Sequence, residues 1–357
     1  MGIGGGLSKL NVAVMGATGM VGQQYMRLLE KHPWFEISIL MGKRSAGKKF
    51  GEAVEWIGSY DPPTRVKEIV VSEIDPERQA ADLFFSCLPS EVAREVEGKF
   101  ALKFPVVSDT SAYRMETDVP IIIPELNAEH AKIIDRQRRE RGWKGFIVTG
   151  PNCTTTGLAV ALKPLDDAYN VRKVFVTTMQ AVSGAGYPGV PSLLIIDNVI
   201  PYIKDEEEKV ARETKKILGK FQDEKILEND MMVAASCNRV PVIDGHLECV
   251  YVETEKKVDV EEAKNILREF RGLPQELKLP SAPEKPIIVR EESDRPQPRR
   301  DRDSGSVPGM SVVVGRVRRG LDENSLQFTV LSHNTIRGAA GNAILTAELL
   351  YKLGYIE

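Results

Sequence analysis

The segment of this 357-residue chain best suited to covalent chemistry is residues 150–162, GPNCTTTGLAVAL. Pro151 halts the preceding element and Thr154 onward can be helical, so Cys153 falls at a helix N-terminus. The macrodipole and free N–H groups at such a position stabilise a thiolate. The same N–H groups can stabilise the oxyanion formed when that thiolate attacks a carbonyl. Polar neighbours Asn152, Thr154, Thr155 and Thr156 set Cys153 apart from an inert core cysteine. Cys87, Cys237 and Cys249 lie in strand-like runs and read as structural, with the reservation that SCLPS at residues 86–90 is a strand-end loop able to line a cofactor.

A nucleophilic thiolate needs a partner for proton transfer. His246 follows Asp244-Gly245 and opens a strand, a position that can project into a cleft, and its neutral pKa range suits transfer at a substrate oxygen. The plain alternative is a hydrogen-bonded turn histidine. His32, ahead of Pro33, and His130, in a charged helical stretch, read as surface residues. Arg239 lies seven residues before His246, which on one continuous strand would put the two on opposite faces. Pro241 and Asp244-Gly245 break the strand, so both can face one pocket.

A second chemical feature opens the chain. Gly16, Gly19 and Gly22 form a Gly-x-x-Gly-x-x-Gly turn between a short apolar strand at 10–15 (LNVAVM) and a helix with Val21, Tyr25, Leu28 and Leu29 at helical spacing. Such a turn lets backbone N–H groups approach a pyrophosphate at the helix's positive end. The next strand, 35–41, runs into Met41, Gly42, Lys43, Arg44 and Ser45, and Glu36 lies at its wrong end. An acidic residue at the far end would accept from a ribose 2′-hydroxyl; basic and hydroxyl groups there fit a 2′-phosphate, so the expected cofactor is NADP rather than NAD. A solvated Lys–Arg turn is the alternative.

The elements that must position these groups fall into two sets. Apolar runs at 82–88, 104–108, 121–124 and 145–149 end in small polar residues, as expected at the ligand-binding carboxyl edge of an open parallel sheet. After about residue 165 the runs lengthen and alternate; 246–253, 311–317 and 326–331 read as a mixed or antiparallel sheet with one face on helices. The charged stretch 291–303 (EESDRPQPRRDRD) reads as a loop. The mostly apolar 338–354 reads as a helix with Gly354 as C-cap, which must pack on something, most simply the first domain. The fold class is therefore α/β: a Rossmann-type NADP-binding domain over 1–152, completed by a C-terminal helix within 334–357, and an α+β catalytic and dimerisation domain with a mixed sheet over 153–333.

Composition narrows the function classes. Forty-eight basic against 51 acidic residues give a net charge of −3, no field for nucleic acid or an anionic membrane. Apolar stretches such as 193–196 and 311–314 are far short of the ~20 residues a membrane span needs. The Gly-rich residues 1–9 lack a signal-peptide apolar region, and Gly6 stands where a myristoylation pattern wants Ser or Thr. Four cysteines without Cys-x-x-Cys, and only four histidines, point to a reduced, cytoplasmic compartment and to no metal site.

With those residues in place, the chain resembles the aspartate-semialdehyde dehydrogenases, in the branch shared by archaea and fungi. GATGMVG at 16, GKRSAGK at 42, SAYRMETDVP at 111, PELN at 124, GPNCTT at 150, TTMQAVSGAGYPG at 177, RVPVIDGH at 239 and HNTIRGAAGN at 333 carry the likeness, in the family's order. The resemblance implies NADPH-dependent reduction of L-aspartyl 4-phosphate to L-aspartate 4-semialdehyde, on the route to lysine, methionine, threonine and isoleucine. It implies that Cys153 forms a thioester, His246 is the acid–base catalyst and Gln180 orients the intermediate. Arg239 would hold the α-carboxylate, Arg114 and Asn152 the phosphate. Glu206 and Lys209 would bind amino group and phosphate, Glu206 being preferred over Glu207 and Glu208 because it shares the face of Val210 and Ile217. Gly16, Thr18, Gly19, Met20, Val21 and Gly22 would lie along the pyrophosphate, and Arg44 and Ser45 on the 2′-phosphate. Ser86, Ser183 and Gly184 would line the dinucleotide, with Asn334 on its carboxamide. The family implies a homodimer or homotetramer built through the catalytic-domain sheet. An archaeal malonyl-CoA reductase shares RPQ at 295, PGMSVVVGR at 308 and GAGYPG at 184, and is the nearest rival; Asn152 and Thr154-Thr155 favour the acyl phosphate. A non-catalytic NADP-binding sensor is the remote one.

Overall fold

A computed structural model describes residues 9–58 and 61–357. The Gly-rich start, residues 1–8 with Gly2 and Gly6, lies outside the described residues. Five strands, β1 (Leu10–Met15), β2 (Phe35–Met41), β3 (Leu83–Ser86), β4 (Pro105–Ser108) and β5 (Phe146–Thr149), pair in parallel in the order β2-β1-β3-β4-β5. A single bridge from Met41 to Ser72 adds one further parallel pairing outside β2. Counting that bridge, the order is the dinucleotide-binding 3-2-1-4-5-6, and the strand order reverses between β1 and β3, where the ligand crevice forms.

Among the described residues seven helices run nine residues or more, and these carry the packing: α1 (Met20–Leu29), α2 (Ser90–Ala101), α3 (Ile133–Arg141), α4 (Cys153–Tyr169), α5 (Glu206–Ile217), α6 (Val260–Glu269) and α7 (Gly341–Lys352). Both faces of the parallel sheet are covered, so its strands are apolar throughout. Val12, Val14, Phe85, Val107 and Val148 pack with Tyr25 and Met26 of α1 and with Ile344, Leu345 and Leu349 of α7. Ala13, Met15, Phe84, Val106 and Ile147 point the other way, onto Ala93 and Phe100 of α2. α7 is buried all round, as its composition demands, and a buried two-bond pair from Arg337 to Glu125 ties its approach segment down. Gly354 takes the left-handed conformation (φ +79°) just past the helix end.

The second sheet comprises β6 (Val171–Gln180), β9 (Met232–Arg239), β10 (His246–Thr254), β11 (Ile287–Arg290), β12 (Val312–Arg319) and β13 (Ser325–Ser332), with β7 (Lys220–Gln222) and β8 (Lys225–Leu227) forming a separate ribbon. Its order is β11-β12-β13-β10-β6-β9, with parallel pairs at both edges and antiparallel pairs between. Val174, Val176, Val250, Val252 and Phe328 pack on α4 and α6. The opposite face leaves Phe175 and Met232 exposed.

Several expectations need correction. Residues 121–124 form no strand: Ile121 makes one bridge to Thr149, and Pro124, lacking an N–H, opens a helical turn instead. The charged 291–303 stretch is irregular but anchored, because Arg295 donates to the buried Asp301 carboxylate at the end of a one-turn helix (Pro298–Asp301). His32 and His130 are buried. His32 accepts at Nδ1 from the N–H groups of Trp34 and Phe35 and meets Glu348 at 2.7 Å through Nε2. His130 bonds Asn127 and the Gly219 carbonyl. Cys249, expected to be structural, is exposed, while Cys237 is buried. No helix among the described residues is long and apolar enough to cross a membrane.

Candidate active site

The turn after β5 delivers Cys153 to the first position of α4. Asn152 caps that helix: its Oδ1 accepts from the N–H groups of Thr154 (2.9 Å) and Thr155 (3.2 Å), a cap worth about 1 kcal/mol. The cap side chain thus engages two of the first-turn N–H groups and not that of Cys153 itself. Gly338, from the segment leading into α7, lies flat against the cysteine; a Cβ there would sit 2.8 Å from both Cα and Cβ of Cys153.

Three strand ends of the second sheet face the thiol. β6 lies between β9 and β10; Gln180 pairs with Arg239 on one side, and Met179 pairs with Leu247 on the other. Arg239 ends β9 and His246 opens β10, the two strands that flank β6; Arg239 lines the cavity beside Cys153, while His246 is fully buried and meets the sulfur from outside that lining. His246 Nε2 lies 3.3 Å from Cys153 Sγ, and its Nδ1 accepts from the Ala181 N–H at 3.1 Å. A backbone N–H can only donate, so the neutral ring carries its proton on Nε2, toward the sulfur. Gly184 passes so close that a Cβ would fall 2.8 Å from Arg239 Nη1 and 3.0 Å from His246 Cε1. Gln180 is buried, donates to Thr178 Oγ1, and does not line the cavity.

Arg239 is 7% exposed and donates from Nη1 to the Ala181 carbonyl; no carboxylate among the described residues pairs with it. A buried guanidinium left in that state is an anion site. Arg114 is equally buried, and three of its five N–H groups are used: Nε to Gly150 O, Nη2 to Asp109 O and Nη1 to Glu213. The remaining two sit on neighbouring terminal nitrogens, the fork that a phosphate or carboxylate accepts. Glu206, in the first turn of α5, accepts from Asn152 Nδ2 (3.0 Å) and Thr154 Oγ1 (3.1 Å). Lys209 lines the same cavity of ≈ 420 Å³, which runs from Val21 of α1 past Cys87 and Leu88 to Cys153, Glu206 and Arg239.

Electrostatics within this cavity is finely opposed. Burial pushes the Cys153 thiol up to about 12, and the Glu206 carboxylate adds to the rise; Arg239, Arg114 and the Thr154 N–H pull it down. Burial and Glu206 therefore oppose the ionisation that the helix position favours. Burial holds His246 well below the ordinary imidazole range, helped by Arg239 and His333, so the ring is neutral at pH 7.

The glycine turn fits a dinucleotide. Gly16 is left-handed (φ +86°), and a Cβ at Gly22 would lie 2.4 Å from the Ala17 carbonyl, so both are required by the turn itself. Gly19 differs: a Cβ there would meet only Gly16 O, at 3.3 Å. It opens α1 without any side-chain cap, leaving first-turn N–H groups to a phosphate, alongside Thr18, Met20 and Val21. The N–H groups of Gly16 and Ala17 donate to Met41 O, which sets the loop holding exposed Arg44 and buried Ser45 beside this turn. Glu36, at the other end of β2, pairs with Arg65. Ser86 requires correction: its hydroxyl donates to buried Glu97 at 2.6 Å, because it shares the inward face of Phe84, and only the loop after it lines the cavity. Asn334 is buried as well; it donates to Ser183 Oγ and accepts from the Gly245 N–H, bracing the turn before His246 and leaving one amide hydrogen for a ligand.

Two groups that hold the site were missed in the sequence. Glu213 binds both Arg114 and the Asn152 N–H, and the Lys216 ammonium donates to three carbonyls of the Arg114 segment. Their signal was present: Glu213 lies seven residues, two helical turns, after Glu206 and so shares its face.

Comparison with known proteins places this geometry among relatives. Residues 11–134 match a family model described as semialdehyde dehydrogenase, NAD binding domain, and residues 162–337 one described as semialdehyde dehydrogenase, dimerisation domain. An aspartate-semialdehyde dehydrogenase of Archaeoglobus fulgidus is 55% identical over 96% of this chain and 98% of that protein. A malonyl CoA reductase (NADP) of Metallosphaera sedula is 44% identical over 98% of each chain. The crystal structure of aspartate semialdehyde dehydrogenase with NADP from Candida albicans superposes with a TM-score of 0.89 at 41% identity, covering 98% of this chain and 100% of that one.

Proposed function

The chain belongs to the aspartate-semialdehyde dehydrogenase family, and from that premise we infer how its pocket carries the reaction. It is an NADP-dependent phosphorylating aldehyde dehydrogenase of amino-acid biosynthesis, reducing L-aspartyl 4-phosphate to L-aspartate 4-semialdehyde. The observation that carries the assignment of roles is the 3.3 Å contact between Cys153 Sγ and His246 Nε2, at a cavity that holds the unpaired Arg239 and the open fork of Arg114.

The substrate presents a carboxylate, an ammonium and a phosphate. Arg239 takes the carboxylate, Glu206 the ammonium, and Arg114 with Lys209 the phosphate; Asn152 contributes its remaining amide hydrogen. Pairing Glu206 with an ammonium offsets the second cause of the raised thiol, after burial, while the substrate's carboxylate and phosphate draw on Arg239 and Arg114, which lower it. Sγ then bonds to the acyl carbon and the C–O bond to phosphate breaks. The thiol loses one proton and the departing phosphate needs one, so the step balances with no net change at His246. The Nε2–H of His246 stabilises negative charge on the carbonyl oxygen, the acid half of an acid–base role. Gln180, buried outside the cavity and paired with Arg239 across the sheet, would act on the thioester only through its neighbours. NADPH, held by Gly16–Gly22 residues, Arg44, Ser45, the Ser183-Gly184 turn and Asn334, supplies the hydride that reduces the thioester.

The exposed Phe175 and Met232 support a homodimer or homotetramer through the second sheet, and a reduced, cytoplasmic compartment fits the four free cysteines. The testing experiment is a side-by-side assay. Phosphate-dependent oxidation of L-aspartate 4-semialdehyde with NADP is expected, with malonyl-CoA a poor substrate because it offers Glu206 no ammonium. Reduction of malonyl-CoA without that oxidation would reverse the reading. Cys153→Ala should abolish turnover and keep NADPH binding, which separates an enzyme from a sensor.

A further inference from the structure

Arg114 sits in residues 109–119, a stretch with no helix or strand. An irregular segment does not fix a guanidinium by itself, so the rigidity must be imported. The source is α5, two turns beyond the substrate-facing Glu206. Glu213 is 2% exposed, and both its oxygens are committed: Oε2 accepts from the Asn152 N–H at 2.6 Å, and Oε1 accepts from Arg114 Nη1 at 3.1 Å. One turn on, Lys216 Nζ donates to the carbonyls of Arg114, Glu116 and Val119 at 2.6–2.7 Å, anchoring the backbone that carries the arginine. Glu213 lies outside the cavity at the thiol and borders an adjoining one with Arg114 and Lys209.

We propose that Glu213 is the positioning residue of the phosphate subsite, one carboxylate that fixes the anion-binding fork of Arg114 relative to the turn carrying Cys153. This rests on Arg114 being the phosphate ligand, as inferred above. Both groups Glu213 serves are obligate donors, a backbone N–H and a guanidinium N–H. Gln in its place offers one oxygen and one NH2, so one donor must face another donor. The 2.6 Å bond to Asn152 is the shorter, and its partner is backbone; the amide is therefore expected to keep Asn152 and turn its NH2 on Arg114, displacing Nη1 and tilting the fork about its remaining bonds to the Gly150 and Asp109 carbonyls.

The test is Glu213→Gln in the full-length enzyme, assayed as phosphate-dependent oxidation of aspartate semialdehyde. The KM for inorganic phosphate should rise about tenfold or more, as loss of one oriented charge-assisted contact implies, with the KM for the aldehyde within about twofold. Protection of Cys153 against alkylation by inorganic phosphate alone should weaken in parallel. In an Arg114→Lys background the same change should add little, the signature of a shared interaction. Glu213→Asp, which keeps two acceptors, should recover part of the phosphate affinity. An unchanged phosphate KM in a folded Glu213→Gln enzyme overturns the proposal, and so do equal rises in both KM values or full additivity with Arg114→Lys. If the wild type showed no phosphate-dependent oxidation at all, the parent reading would fail instead, so the two failures are distinct.

Discussion

Glu206→Gln should move the reactivity of Cys153 and the turnover of the enzyme in opposite directions. Glu206 bonds the side chains on both sides of the nucleophile, Asn152 and Thr154, and its charge helps push the thiol up to about 12. Two unit charges within one small pocket interact by about 2–4 kcal/mol at an effective dielectric of about 20. Because this carboxylate is already hydrogen-bonded, the lower end applies: about 2 kcal/mol, or ~1.5 pKa units, hence ~30-fold more thiolate at any pH below the midpoint. The substitution is otherwise gentle. Gln keeps one acceptor for Asn152 Nδ2, and the Thr154 hydroxyl can rotate to accept from the new NH2. The assay is iodoacetamide alkylation of the ligand-free protein against pH, read by mass on the Cys153 peptide so that exposed Cys249 does not intrude. Alkylation should accelerate roughly 10–30-fold near neutral pH and its midpoint should fall. Turnover with the amino-acid substrate should drop through a raised KM, since the ammonium loses its counter-charge. Glu208→Gln, on an exposed position of the same helix, is the control and should change neither. A midpoint that does not move, or moves up, in a folded Glu206→Gln protein refutes the reasoning: burial alone would then set the thiol.

Gly184→Ala places a Cβ 2.8 Å from Arg239 Nη1 and 3.0 Å from His246 Cε1, so one of them must move; kcat/KM should fall about 100-fold with little change in Tm, and activity within twofold of wild type would contradict the packing. Arg44→Ala should cost about tenfold or more in kcat/KM with NADP and leave the poor NAD reaction unchanged, whereas equal loss with both cofactors would remove Arg44 from the 2′-phosphate. Burial lifts the Asp109 carboxyl from 3.8 to about 7, opposed by the Tyr25 hydroxyl and Arg114. The folded protein then holds this proton more tightly than the unfolded chain, so its stabilising contribution is complete below about pH 4 and is lost as pH rises through 7. Asp109→Asn should flatten the Tm profile across that window and raise Tm at pH 8; a profile parallel to wild type would show that the carboxyl is ionised throughout.

What the sequence conveyed about this site followed from where its signals were local. A strand run, a glycine turn and a cysteine after proline are each defined within a dozen residues, so the parallel sheet, the start of α1 and the position of Cys153 could be read directly. Pro241 and Asp244-Gly245 announced the break that brings Arg239 and His246 to Cys153. Signals that depend on distant partners were lost: His32 is polar beside a proline, but its burial is decided by Glu348, 316 residues away. Ser86 was misread for a different reason, since its alternation with Phe84 already directed it inward, toward Glu97. Asn152 was read as a polar neighbour when its place before a helix marked it as a cap.

That last difference separates the two helix starts that build the site. α1 opens on Gly19, with no side chain to satisfy its first N–H groups, and α4 opens on Asn152, which satisfies two of them. The orphan donors have no side-chain cap at one helix and are engaged in part at the other, where the Cys153 N–H is left outside the cap. At α1 the opening suits a phosphate carried by a diffusible cofactor. At α4 an uncapped turn would stabilise the thiolate permanently and expose it to any electrophile or oxidant. With two donors engaged by the cap, negative charge on the sulfur is favoured by Arg239, Arg114, the Thr154 N–H and the Nε2–H of His246, and opposed by burial and Glu206. Ionisation of the sulfur is thus opposed by burial and Glu206 and favoured by Arg239 and Arg114, and the substrate's charges bear on both sides of that balance.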